Sequence, residues 1–141
     1  MASKVRIRTV VDSAGVRAKN AKPDDEFVLI INEGDAPAFM GGWILLKKKP
    51  DSSHHEHYYF PETVEDDPLV LKPGQEMLVM TGDGLDTFIP PDAHGRGQWL
   101  LYQNRNYTIW NDKTDKLVLY AAIREEEKEL FIKIDEKAIN S

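Results

Sequence analysis

The 141-residue chain contains no cysteine. This excludes disulfide scaffolding, thiolate catalysis and cysteine-ligated metal centres. No apolar run reaches the roughly 18 residues that a membrane-spanning helix needs. Heptads sustained over several turns are lacking, which excludes a coiled-coil rod. No glycine-rich loop follows a strand and opens a helix, and Gly95-Arg96-Gly97 is too short to cradle a phosphate. Ser52, Ser53 and Ser141 lack the strand–turn–helix elbow of a hydrolase nucleophile. No βαβ rhythm, internal repeat or low-complexity tract occurs. These absences argue against an enzyme, and neither a catalytic residue nor a cofactor is expected.

Basic residues are scarce in the middle of the chain. Residues 51–100 carry two basic against ten acidic side chains, whereas residues 1–50 carry nine against six. The net charge of −6 disfavours long-range attraction to nucleic acid. It leaves Lys47-Lys48-Lys49, with Arg6, Arg8 and Arg17, as the local basic patch for a polyanion. The opening residues 1–6 have no apolar run after their basic groups and do not read as a signal peptide. With the missing cysteine, this favours the cytoplasm. The length suits one domain with a real core. That domain is expected over residues 1–141, with its core at about 4–123 and an extra strand or short helix over 124–141.

What is present is a succession of short β-type segments separated by turn formers. Residues 5–11 alternate apolar and polar and predict a strand with one buried face. Phe27 to Ile31 is a continuous apolar run, short and rich in branched side chains, and predicts a central strand. Residues 43–46, 58–60, 76–80, 99–102, 117–123 and 130–134 predict further strands. Pro73-Gly74 fits a type II turn, with proline fixing φ and glycine taking the positive value. Gly42 before Trp43 predicts a positive φ or a close chain approach. Residues 12–25, 47–57, 62–67 and 83–98 read as loops. Between the last two strands, Arg124 to Glu129 has no glycine, and its Glu and Lys content leaves a short helix as the alternative to a hairpin. About eight or nine strands with no helical rhythm predict an all-β sandwich of two antiparallel sheets.

Four pieces set the identity of that sandwich: Gly42-Trp43, Phe60-Pro61, Leu71-Lys72-Pro73-Gly74 and Trp110-Asn111. In order and spacing they resemble the lamin tail domain family. Glu26-Phe27-Val28 with Asn32 and Gly34 fits the family's first strand and its end, and Asp115 to Leu119 fits its last strand. The resemblance covers about residues 4–123 and implies an immunoglobulin-like β-sandwich. It further implies a non-catalytic module that binds protein partners, with DNA as a second class of partner. The sequence departs from the family pattern where Thr114-Asp115 replaces a Gly-Asp turn, and in the longer stretches 47–57 and 62–67. Trp43, Phe60, Trp110 and Asn111 are expected to serve structure, together with Gly42, Pro73 and Gly74.

Several residues invite a binding role. Lys47, Lys48 and Lys49 suit a polyanion. His55 and His57 would share one face of an extended strand, but zinc wants further ligands, and no metal site is expected. Asp83 and Asp86 read as turn formers rather than a calcium loop. Trp99, beside Gly97, is a candidate ligand platform, and Arg96 a candidate mobile cation. The leading expectation is an unidentified protein partner. Weak nucleic-acid binding and weak self-association through edge strands are the alternatives.

Overall fold

In the computed structural model the described residues are 2–11, 26–91, 97–105, 115–125 and 127–139. They form thirteen strands in two main sheets and two small two-stranded sheets. The strands are β1 (Val5–Val11), β2 (Phe27–Asn32), β3 (Ala38–Phe39), β4 (Ile44–Lys48) and β5 (His54–Tyr59). Next come β6 (Thr63–Val64), β7 (Asp67–Pro68), β8 (Val70–Leu71), β9 (Glu76–Met80) and β10 (Thr87–Ile89). The chain ends with β11 (Gln98–Tyr102), β12 (Lys116–Glu125) and β13 (Lys128–Ala138). One sheet has the order β1-β2-β9-β11-β10 and the other β13-β12-β4-β5. This is the all-β, immunoglobulin-like sandwich that the sequence predicts.

The inner faces follow from alternation along each strand. Val28 and Ile30 of β2, Met77 and Val79 of β9, and Trp99 and Leu101 of β11 point into the core. From the other sheet come Leu45 of β4 and Leu117, Leu119 and Ala121 of β12. The run Phe27 to Ile31 is therefore not buried on both faces: Phe27, Leu29 and Ile31 are only half-buried on its outer side. Trp43, buried as expected, joins Phe60 in this core.

The turn chemistry is as the glycines foretell. Gly74 has φ 81° and Gln75 N–H closes the turn on the carbonyl of Lys72 at 3.0 Å. Gly42 has φ 79°, and Trp43 N–H closes its turn on the carbonyl of Met40 at 3.1 Å. Gly42 N–H then donates to Phe60 O at 3.0 Å, and Phe60 N–H to Trp43 O at 2.9 Å. A side chain at either glycine would be strained by the positive φ alone.

Three features differ from the sequence expectation. The pairing of β9 with β11 is parallel, while the other pairings are antiparallel. The long connection between them carries β10 across to the far side of β11, as a parallel pair requires. The 62–67 stretch is not a plain loop, because β6 and β7 make a minimal hairpin around Glu65 and Asp66, both at positive φ. No helix forms at 124–129: Glu125 pairs directly with Lys128, and Glu127 takes φ 67°. Cross-strand pairing along ten positions outweighs the local helical preference of a few Glu and Lys residues.

Asn32, at the end of β2, is fully buried and uses its whole amide. Its Oδ1 accepts from the N–H of Lys4 (3.1 Å) and of Gly34 (2.9 Å). Its Nδ2 donates to the carbonyls of Ala36 (2.9 Å) and Leu71 (2.8 Å). Asn32→Asp keeps the shape but sets a carboxylate against two carbonyls. We expect it to cost about 3 kcal/mol or more, measured by urea unfolding; a loss under about 1 kcal/mol would show that the junction is dispensable.

Candidate interaction surface

The lysine run does not form a basic patch. Alternation along β4 turns Lys47 inward, in line with Leu45, and its residue is only 7% exposed. Its ammonium lies 3.8 Å from Oδ2 of Asp115, a residue buried immediately before β12. Lys49 reaches the same oxygen at 3.1 Å. Two cations thus converge on one buried carboxylate, which ties the β4–β5 turn to the start of β12. Lys48 alone of the three is directed away from this cluster, beside Lys116. Arg6 and Arg8 do not join them, because β1 belongs to the other sheet. Each faces a glutamate there, Glu33 at 3.2 Å and Glu76 at 3.8 Å. The polyanion surface drawn from the sequence is therefore corrected: Lys47 and Lys49 belong to a structural ion cluster, and Lys48 sits apart at the end of β4, paired on both sides. Arg17 lies outside the described residues.

The histidine run is part of a strand rather than a loop. β5 pairs with β4, with Lys47 opposite His55 and Lys48 opposite His54. The register shifts between Leu45 and Lys47, so one extra residue is accommodated on β5 between Tyr58 and His55. His57 is exposed, and its ring stacks on Tyr59 with centroids 6.2 Å apart. Among the described residues, no three His, Asp or Glu side chains come together as a metal cluster. Asp86 is engaged at Oδ1 by the N–H of Tyr102 (2.9 Å).

Trp99 is packed rather than presented. It is 5% exposed, its Nε1–H donates to Val70 O at 2.9 Å, and Phe88 lies against its ring with centroids 4.7 Å apart. Its donor and a ring face are already committed, which corrects the ligand-platform expectation. Arg96, Trp110 and Asn111 lie outside the described residues.

The surface that the sequence did not single out is the outer face of the four-stranded sheet. A sandwich sheet ordinarily turns polar residues outward. Here Ile44 and Leu46 of β4 and Val118 of β12 form a second, separate apolar cluster on that face, with Tyr120 packed against it. The cluster opens into a shallow cleft of about 280 Å³ lined by Ile44, Leu46, His57, Tyr59, Tyr120 and Phe131. Tyr59 is 64% exposed and Phe131 46%. Next to it, β12 and β13 run on past the end of their contact with β4. The β4 pairing stops at Tyr120–Ile44, while β12 and β13 stay paired to Glu125–Lys128. This two-stranded ribbon carries Ile123, Leu130, Phe131 and Ile132, each close to half exposed. The only sequence signal was the apolar triplet 130–132, whose adjacent members point to both sides of a strand.

Tyr58, one residue from this surface, lies on the opposite side of β5. It packs edge-on to Phe60 with centroids 5.1 Å apart. Burial, and after it the negative charge of Asp86, push its phenol well above the ordinary tyrosine value. The folded chain keeps Tyr58 neutral at pH values where the unfolded chain ionises it. Its contribution is thus fully present below about pH 10 and is lost as pH rises further. Tyr58→Phe should flatten the loss of stability above about pH 10 in pH-dependent urea unfolding; an unchanged alkaline slope would refute this assignment. At the ion cluster, Asp115→Ala removes the buried carboxylate that Lys47 and Lys49 share and is expected to cost about 3–5 kcal/mol. Adding Lys47→Met to that variant should restore part of the loss. If the double variant is no more stable than the single one, the Lys47–Asp115 contact is not what Asp115 provides.

No curated protein matches the chain. A family model described as Lamin Tail Domain matches residues 1–134, which takes in every strand but the end of β13. The fold, the positive φ values at Gly42 and Gly74, and the packing of Trp43 with Phe60 agree with that match. The chain therefore belongs to the lamin tail domain family and is a non-catalytic structural and protein-interaction module.

Proposed function

We propose that the protein docks a protein partner on the outer face of its four-stranded sheet. The observation that carries this reading is the second apolar cluster, Ile44, Leu46 and Val118, continued by exposed Tyr59 and Phe131. A sheet that is apolar on both faces has one face to spare. The core uses the inner one; on the outer one Ile44, Leu46 and Val118 are themselves buried, and the rim of the cluster, Tyr59 and Phe131, is what is offered to another molecule. Tyrosine and phenylalanine suit such a role, since they bring large contact area with few rotatable bonds, and tyrosine adds a hydroxyl for the polar rim. The cleft is shallow and open, which suits an inserted apolar side chain of a partner better than an enclosed small molecule.

The lysine run provides no second reading. Lys47 and Lys49 are held by Asp115, and the middle third of the chain is strongly acidic. The test is affinity capture from a lysate of the source organism with nuclease added, comparing the wild-type chain with Tyr59→Ser. Tyr59 is largely exposed, so the variant should keep its fold, checked by circular dichroism. We expect a retained protein whose recovery falls at least about tenfold in the variant, as for an interface anchor. Equal recovery by both chains would overturn the assignment of the face. Binding that disappears with nuclease alone would overturn the protein-partner reading in favour of nucleic acid.

A further inference from the structure

β13 is an edge strand, and only part of its free edge is covered. Among the described residues no strand pairs with it on the side away from β12. Toward its end, Asp135 Oδ2 accepts the N–H of Ile7 at 2.8 Å, which brings β1 of the other sheet against it. The pairing with β12 is interrupted at the same place, where the register shifts between Leu119 and Tyr120 and two residues of β13 are advanced. The open edge is thus the first half of β13, from Lys128 to about Lys133.

The backbone groups on that edge follow from the hairpin. Two residues separate Glu125 from Lys128, so this closing pair exchanges both of its hydrogen bonds. Bonded and non-bonded pairs then alternate. Leu130 and Ile132 turn their amides toward β12, while Glu129, Phe131 and Lys133 turn theirs outward. These three outward positions lie on one face of the strand, with charges of opposite sign placed symmetrically about a phenylalanine.

We propose that β13 is a self-pairing edge, through which two copies of the chain join antiparallel about a two-fold axis at Phe131. This rests on the interaction-module reading but uses the sheet edge instead of its outer face. In that register Phe131 meets the partner's Phe131. Glu129 of each copy meets the partner's Lys133, twice by symmetry. On the other face Leu130 meets the partner's Ile132, so four half-exposed aliphatic side chains become covered. All three outward-facing residues gain backbone partners, and the two four-stranded sheets become one continuous sheet. A register centred on Ile132 instead sets Glu129 opposite Asp135, a like-charge pair, so the charges discriminate between registers. Lys133 is available for this: its present partner, Glu136, is 3.7 Å away, and the two side chains are 55% and 31% exposed. An ion pair that open to solvent is weakly held.

The experiment is sedimentation velocity of the full chain up to about 1 mM, the range in which a weak edge contact is detected, with charge-swap variants. Wild type should shift with concentration from 16.1 kDa toward twice that mass. Glu129→Lys and Lys133→Glu, each alone, should weaken the dimer at least about tenfold, as like charges then face each other. The double variant should restore it, and an equimolar mixture of the two single variants should form a heterodimer. Both side chains are solvent-facing, so folding is not at stake, and circular dichroism verifies it. A wild-type chain that stays monomeric at the highest concentration overturns the proposal, as does a dimer that the single swaps leave intact. The outer-face reading is judged separately, because Tyr59→Ser lies off the edge and should leave the self-association unchanged.

Discussion

The structure hangs on one buried amide, that of Asn32. A strand that ends inside a core must find partners for its last polar groups without water, since each one left bare costs free energy comparable to a lost hydrogen bond. Here the side chain accepts from Lys4 and Gly34 and donates to Ala36 and Leu71. The backbone of the same residue accepts from Gly74 and donates to Gln75. The entry to β1, the turn after β2, β8 and the Pro73-Gly74 turn are thereby fixed to one point. No other side chain of this size offers two donors and two acceptors in a plane. Gly34 is tied to the same junction, because a Cβ there would collide with the backbone carbonyl of Ala2.

Asp115 does the corresponding work in the second sheet, with charge in place of an amide. A lysine facing inward from β4 would be prohibitive alone, and a buried carboxylate equally so. Placed together, with Lys49 arriving from the turn, they hold the β4–β5 hairpin to the start of β12. The carbonyl of Asp115 also accepts from the N–H of Ile139, which seats that side chain in the core. Such a cluster contributes more to register than to net stability, since its desolvation offsets much of its attraction. It also draws Lys47 and Lys49 away from any shared basic patch, since the geometry that orders the sheet uses both.

Much of this fold is legible in the sequence because it is local. The glycines at 42 and 74 declare their φ, the alternating segments declare their strands, and Trp43 and Phe60 declare the core. The features that sequence reading missed are tertiary. Nothing in Lys47-Lys48-Lys49 signals that Asp115, far along the chain, will draw one lysine inward. The strands of two residues, β3, β6, β7 and β8, are too short to show any period. The bulge in β5 depends on pairing with β4, which no local pattern signals. The outer apolar face was hidden in plain view: Ile44 and Leu46 alternate with Leu45 in a run that looks like one buried strand, and only the register shows that they point away from the core.

The ribbon poses the remaining physical question, which is why a chain keeps half-exposed apolar side chains on a two-stranded extension. A two-stranded hairpin alone is marginal in water. Beyond Tyr120 no third strand pairs with it among the described residues, and its members Ile123, Leu130 and Ile132 stay close to half exposed. Its stability is borrowed from the sheet at its base, where β12 is held by β4 and by Asp115. An edge in that position invites pairing, and proteins that must avoid it place a lone charge of one sign, a bulge or a proline there. This edge has its bulge at the covered end and no proline, and the positions whose backbone faces outward at its open end carry one charge of each sign, Glu129 and Lys133. A single sign would repel a second copy; one of each, spaced evenly about Phe131, repels nothing that approaches antiparallel and in register. The same residues that make the ribbon costly as an isolated element make it selective as an edge.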